Sequence, residues 1–307
     1  MPDSDPSSCR SPQSFRRSTG PAELGPIAYQ LFNHLAGPQA ERAINDQLLP
    51  VLQASAKAPE SNQDSVRDTF EHPFNALHAF FAHYAFARRG KDRDDLSSMA
   101  VSALRRVTTA ETINDLLKQD DGSAVWEAFC QICIERRRKN SEQLNRGLIA
   151  GMIELAQEIY ALDEIGSITG WIADSVEQTD RIEAPFLRIV DIRGVGPKTT
   201  STFLRDMVLL FELEDQIDHA DRLYVQPVDR WLRLAAPLLV PEANIEAAVD
   251  WVIAGKIAKY ARRAGVSGIR LNIGNTYFGS HDVREPGRYS RMAHESIGTS
   301  VPPTTEG

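Results

Sequence analysis

The chain predicts an all-α protein. Three observations carry that reading. Apolar residues recur at steps of three and four, no stretch sustains the period-two alternation of a half-buried strand, and glycine and proline mark the breaks between periodic segments. Taken in order, residues 1–20 are Ser/Pro-rich and read as a flexible tail, as do residues 292–307. The segment 73–89 carries Phe74, Leu77, Phe81, Tyr84 and Ala85 on one helical face, with Pro73 suited to a first turn and Gly90 to the stop. Helices are also predicted over 111–119, 124–138, 142–161 and 244–264, the last closed by Gly265. Gly166 and Gly170 bracket a turn, and the glycine-rich stretch 265–290 reads as loop. No repeat of solenoid length is visible.

Composition narrows the classes further. Of 307 residues, 42% are hydrophobic and 25% charged, with a mean hydropathy of −0.32, and such a chain buries a core without disulfide or metal staples. No apolar run approaches membrane-spanning length, and the first twenty residues lack the apolar stretch of a secretory signal. Three cysteines (Cys9, Cys130, Cys133) fit a reducing, intracellular compartment and are too few for a four-thiolate iron–sulfur cluster. The Cys130–Cys133 pair lies in a helical run beside Phe129 and Ile132, where core packing is the expected role.

Net charge is −8 and the pI near 5.5, which argues mildly against nucleic acid. The distribution is uneven, however. From Lys256 to Arg291 eight Lys/Arg stand against Asp282 and Glu285, and further basic clusters occur at 88–93 and 136–139. An acidic body with a basic stripe is compatible with a phosphate backbone, although either short cluster alone reads as a solvated helix face.

The informative segment is 186–206, FLRIVDIRGVGPKTTSTFLRD. Two short helices flank Gly194-Val195-Gly196, and Pro197 sits where the second begins. Two glycines let the backbone turn tightly and admit a phosphate where a Cβ would block it. The amides opening the second helix then point outward with the positive end of its dipole. Gly194-Val195-Gly196-Pro197-Lys198-Thr199, followed downstream by Pro227-Val228-Asp229-Arg230-Trp231, resembles the helix-hairpin-helix and Val-Asp motifs of the helix-hairpin-helix/Gly-Pro-Asp DNA glycosylase superfamily, and in particular its bifunctional glycosylase/AP-lyase branch. The helix over 72–90 resembles the one that opens that family's barrel, so the likeness runs over about 72–264.

The resemblance implies a two-lobed helical fold with the active site in the cleft between lobes. Residues 75–214 would form the barrel, ending in the hairpin, and 21–74 plus 215–291 the second lobe. Residues 207–224 look inserted. Lys198 falls on the amine nucleophile and Asp229 on the superfamily aspartate. Arg193, Gly194, Val195, Gly196 and Thr199 would hold DNA. A monovalent cation would sit on the main-chain carbonyls of Val190, Ile192 and Val195, with no other cofactor required. His83, Trp231, Tyr277 and Phe278 are candidates for the base pocket, and Asn272–Phe278 or the loop after the 73–89 helix for the wedge that fills the emptied stack. The implied partner is duplex DNA carrying a damaged or modified base, met by a monomer, with no membrane involved.

The chemistry needs both groups independently of the name. Breaking an N-glycosidic bond builds positive charge on the sugar, which a nearby carboxylate stabilises. An amine attacking C1′ gives a Schiff base from which strand cleavage follows. The amine must be partly neutral to attack, which burial or a positive neighbour such as Arg193 would favour. Two alternatives stay open. One is a monofunctional enzyme in which Asp229 activates water, and the other is a non-catalytic DNA-binding protein that keeps the hairpin as a clamp.

Overall fold

The computed structural model describes residues 23–56, 62–87, 92–119, 122–164 and 166–298, and among them every regular element is helical. The all-α expectation therefore holds over the described residues. The tail of 1–20, the end beyond 298, Cys9 and the Arg88, Arg89 and Lys91 part of one basic cluster lie outside them.

The described residues open with a nearly continuous helical rod: α1 (Pro26–His34), a π-helical turn (Leu35–Gln39), α2 (Ala40–Ala43), a second π turn (Ile44–Leu48) and α3 (Leu49–Ala56). The first π turn contains Pro38, whose missing N–H cannot sustain the regular ladder. There follow α4 (Gln63–Phe70), α5 (Pro73–Ala79) with a π turn over Phe80–Tyr84, α6 (Arg93–Val107), α7 (Ile113–Leu117), α8 (Ser123–Glu135) and α9 (Glu142–Asp163). Then come α10 (Ile168–Thr179), α11 (Glu183–Val190) and α12 (Pro197–Leu210). The last four are α13 (Arg230–Leu239), α14 (Asp250–Arg263), α15 (Gly268–Tyr277), which runs into a π turn over Phe278–Val283, and α16 (Tyr289–Ser296). Side chains fix several starts. Asn62 accepts the Ser65 amide (2.8 Å), Ser167 that of Gly170 (3.3 Å) and Ser267 that of Arg270 (3.0 Å).

Several expectations need correction. Gly170 lies inside α10, whose cap is Ser167, so Gly166 and Gly170 do not bracket a turn. The stretch 265–290 is not loop, because α15 is almost wholly buried and its glycine serves contact rather than a bend. A Cβ on Gly274 would stand 1.9 Å from the Leu35 carbonyl oxygen and 2.7 Å from the Ala40 nitrogen. Residues 292–296 belong to α16, with Ala293 and His294 buried, so the C-terminal tail begins later than expected.

The buried side chains form two clusters. The larger runs from Ala43 through Val225 and takes in Ile269, Ile273 and Tyr277; the smaller joins Leu31, Phe32, Leu35 and Ala36 to residues between Trp231 and Ala293. Residues 43–70 join the larger cluster, together with residues of the 75–214 body and with Ile217, Val225, Ile269, Ile273 and Tyr277 from the segments after 215. α15 serves both clusters: Ile269, Ile273 and Tyr277 face one, while Leu271 and the following Phe278 face the other.

The stretch after α12, read as an insertion, is a brace. Glu214 accepts from the Gly268 amide (2.8 Å), the Ile269 amide (3.2 Å) and the Ser267 hydroxyl, capping α15. The buried Asp221 accepts from the Ile182 and Glu183 amides (3.0 and 3.1 Å) and from Arg181 Nε (2.8 Å), capping α11. Each carboxylate meets the positive end of a helix dipole. Together they tie the first helix of the hairpin and the helix behind Asp229 to one short segment.

Candidate active site

The hairpin folds as its glycines dictate. After α11 the chain turns through 191–196, with the Val195 amide donating to the Ile192 carbonyl (2.9 Å) and Gly194 at φ +96°, a conformation closed to most side chains. A Cβ there would lie 2.8 Å from the Leu144 carbonyl oxygen. α9 meets the turn with two glycines one helical turn apart. A Cβ on Gly147 would lie 2.8 Å from Arg193 Cβ, and one on Gly151 2.8 Å from Ile192 Cγ2. Gly196 precedes α12 in extended conformation with no side chain capping the helix, and Pro197 fills the first position. The amides of Lys198 and Thr199, in this first turn, are thus of the kind that accept an outside anion.

α12 then presents Lys198, Thr202, Arg205 and Asp206 at steps of four, three and one, on the side that lines a cavity of about 700 Å³. Thr199 lines it too. Pro227, Asp229 and, from α15, Ile273, Thr276 and Tyr277 also line it. The rod between α2 and α3 supplies Ala43, Gln47, Leu48 and Val51, and the π turn after α5 supplies His83 and Tyr84. Lys198 and Asp229 therefore border one cavity, although 31 positions separate them.

Asp229 is fixed at both oxygens. Oδ1 accepts the Leu232 amide (2.8 Å) as the cap of α13, and Oδ2 accepts the Thr276 hydroxyl (3.1 Å). Below Lys198, Arg205 donates to Asp206 through Nε (2.8 Å) and to Asn272 Oδ1 (2.8 Å), while the Tyr84 hydroxyl donates to Asp206 Oδ2 (3.0 Å). Asn272 in turn donates to the Pro227 carbonyl (3.1 Å), two positions before Asp229. Burial pushes the Asp206 carboxyl up while Arg205 opposes it, and burial pushes the Tyr84 hydroxyl well up. His83 is lowered to about 4, by burial first and by the charge of Arg93 second; its Nε2 is hydrogen-bonded to the Ser55 hydroxyl.

Of the residues singled out from the sequence, Lys198, Asp229, Thr199, His83 and Tyr277 meet at the cavity. Trp231 and Phe278 do not. Trp231 is buried in the smaller cluster, stacked against Tyr289, under the guanidinium of Arg230 and pressed by Gly279, while Phe278 packs edge-on to the same Tyr289. Asn272, Ile273 and Phe278 are likewise buried, so the 272–278 stretch offers no exposed wedge; the loop after the 73–89 helix falls partly outside the described residues. Lys198 is exposed, and Arg193 lines a separate hollow with Glu142, Arg146 and Glu154. Among the hairpin residues expected to hold DNA, Arg193 and Gly194 are exposed, and Val195 and Gly196 are buried. Of the carbonyls expected to hold a cation, that of Ile192 already accepts from Val195 and keeps one lone pair.

The sequence reading missed Arg205 and Asp206, and took Asn272 and Thr276 only as part of a candidate wedge. The first two were within reach, since they continue the helical face that starts at Lys198; the other two sit on a helix read as loop. Cys133 packs at 3.9 Å from the Met99 sulfur, as core. Among the described residues no group of three or more His, Cys, Asp or Glu gathers as metal ligands, and no helix is long and apolar enough to cross a membrane. No protein-family model matches the chain, and neither a curated protein nor a solved structure does so.

Proposed function

We propose that this chain is a DNA N-glycosylase with AP-lyase activity, built as a two-lobed helix-hairpin-helix/Gly-Pro-Asp-type fold, that removes a damaged or modified base from duplex DNA. One observation carries the reading: the amine that follows the two-glycine bend and the carboxylate of the Val-Asp motif border the same cavity. The hairpin amides and the open start of α12 suit a backbone phosphate, and the lost base would be everted into the space between α12 and α15. Lys198 Nζ attacks C1′ as the C1′–N bond breaks, and the base leaves with a proton. Asp229, held by Leu232 and Thr276, stabilises the positive charge that grows on the sugar. Ring opening of the sugar–lysine adduct, in which the C1′–O4′ bond breaks and O4′ takes a proton to become the 4′-hydroxyl, leaves an iminium at C1′. Abstraction of a C2′ proton then expels the 3′ phosphate, giving β-elimination. A monovalent cation on the Val190, Ile192 and Val195 carbonyls would reinforce phosphate binding at the hairpin, and no step depends on it.

The test is strand nicking and base release on lesion-bearing duplexes. Lys198→Gln is expected to abolish nicking. Asp229→Asn is expected to lower both activities by about 10² or more, with stability reduced by no more than about 1 kcal/mol because Asn still caps a helix. Base release that survives Lys198→Gln and proceeds without nicking would instead establish the monofunctional reading. DNA binding with no activity on any substrate would establish the clamp.

A further inference from the structure

Three rings line the cavity, His83, Tyr84 and Tyr277, and none presents a broad free face. Tyr277 is covered by His281, stacked at 4.2 Å between centroids and 16° between planes, and by the Arg42 guanidinium 5.1 Å from its centroid. Its hydroxyl donates to Asp46 (3.1 Å). Tyr84 is 5% exposed, stacked on Phe80 and met edge-on by Phe203 at 5.1 Å, with its hydroxyl taken by Asp206. His83 is a small ring perpendicular to Tyr84, tethered through Nε2 to Ser55, with Arg93 bonded to its own carbonyl (2.9 Å).

Charge points the same way. The cavity is lined by the cations Lys198, Arg93 and Arg205 and by the anions Asp206 and Asp229. Asp206 is matched by Arg205 at 2.7 Å, which leaves Asp229 facing two cations. A cationic N-alkylated purine gains its binding from open aromatic faces, and the Tyr277 face already serves Arg42. A neutral base gains its binding from hydrogen bonds, and the Gln47 amide, the Arg205 guanidinium and the Thr202 hydroxyl oxygen, as acceptor, lie along the same walls.

We propose, resting on the glycosylase reading above, that the cavity selects neutral bases produced by deamination or oxidation and discriminates against cationic N-alkylated purines. The experiment measures, for the full chain, the rate of base release over spontaneous loss from duplexes carrying one uracil, hypoxanthine, 8-oxoguanine, 3-methyladenine or 7-methylguanine. An abasic duplex with borohydride runs in parallel. At least one neutral base should show an enhancement about ten-fold or more above both cationic ones, a difference of about 1.4 kcal/mol in barrier. An equal or greater enhancement for either cationic base overturns the proposal. Trapping on the abasic duplex with no neutral base released also overturns it, while leaving the amine chemistry in place. Absence of both trapping and release removes the glycosylase reading and this inference together.

Discussion

His83 gives the site a built-in pH signature. Its ordinary value is 6.5, and the folded chain holds it near 4 through burial and the Arg93 charge. As pH falls from 6.5 to 4 the unfolded chain takes up a proton that the native state refuses. Stability is therefore lost through that window, by roughly 3 kcal/mol in total at about 1.4 kcal/mol per pH unit. Denaturant unfolding at pH 7.0, 5.5 and 4.5 checks this: His83→Gln should flatten the decline relative to the parent chain, and parallel declines would contradict it. His83 was legible in the sequence as a candidate, because it shares a helical segment with buried residues. Its partner Ser55 was not, because the contact joins positions 28 apart in the chain.

At the scale of elements, glycines decide two close approaches. Gly274→Ala would drive a Cβ to 1.9 Å from the Leu35 carbonyl oxygen, so α15 and the first π turn must part. The expected cost is about 4 kcal/mol or more, against about 2 kcal/mol for Gly194→Ala, where strain at φ +96° adds to a 2.8 Å contact. Thermal unfolding of both variants measures the order, and equal, small shifts would refute it. The same element explains why the sequence misled. Gly268, Gly274 and Gly279 look like loop punctuation, yet they let a buried helix and the turn after it touch the Gln226 side chain, the Leu35 and Ala40 backbone and the Trp231 ring. The brace makes a further prediction. Glu214→Gln weakens the cap of α15, which carries the Thr276 that holds Asp229. It should cost about 1–2 kcal/mol of stability and lower kcat for nicking an abasic duplex, with KM little changed. A change in KM alone would place Glu214 in DNA binding instead.

Across the whole molecule, the local grammar of the chain was readable and the long-range pairing was not. Periodicity located α8, α9 and α14 to within a few residues, apart from the first turns of the last, because each buries one face and leaves the other in water. Gly194-Val195-Gly196-Pro197 announced the hairpin because the turn needs a residue at φ +96°, which Gly194 supplies, and Pro197 suits the first position of the helix that follows. The partition of residues 43–70 was hidden, since nothing in an amphipathic pattern says which of two cores it will join. The Arg205–Asn272–Pro227 link was hidden for the same reason. What unites these elements is a single cavity bordered by Lys198 and Asp229. The most direct trial of that claim is to reduce the protein on an abasic duplex with borohydride, digest it, and locate the sugar remnant by peptide mass. The account predicts the remnant on the peptide containing Lys198, with no adduct when Lys198→Gln is used. A remnant on any other lysine, or no adduct with the parent chain, would contradict it.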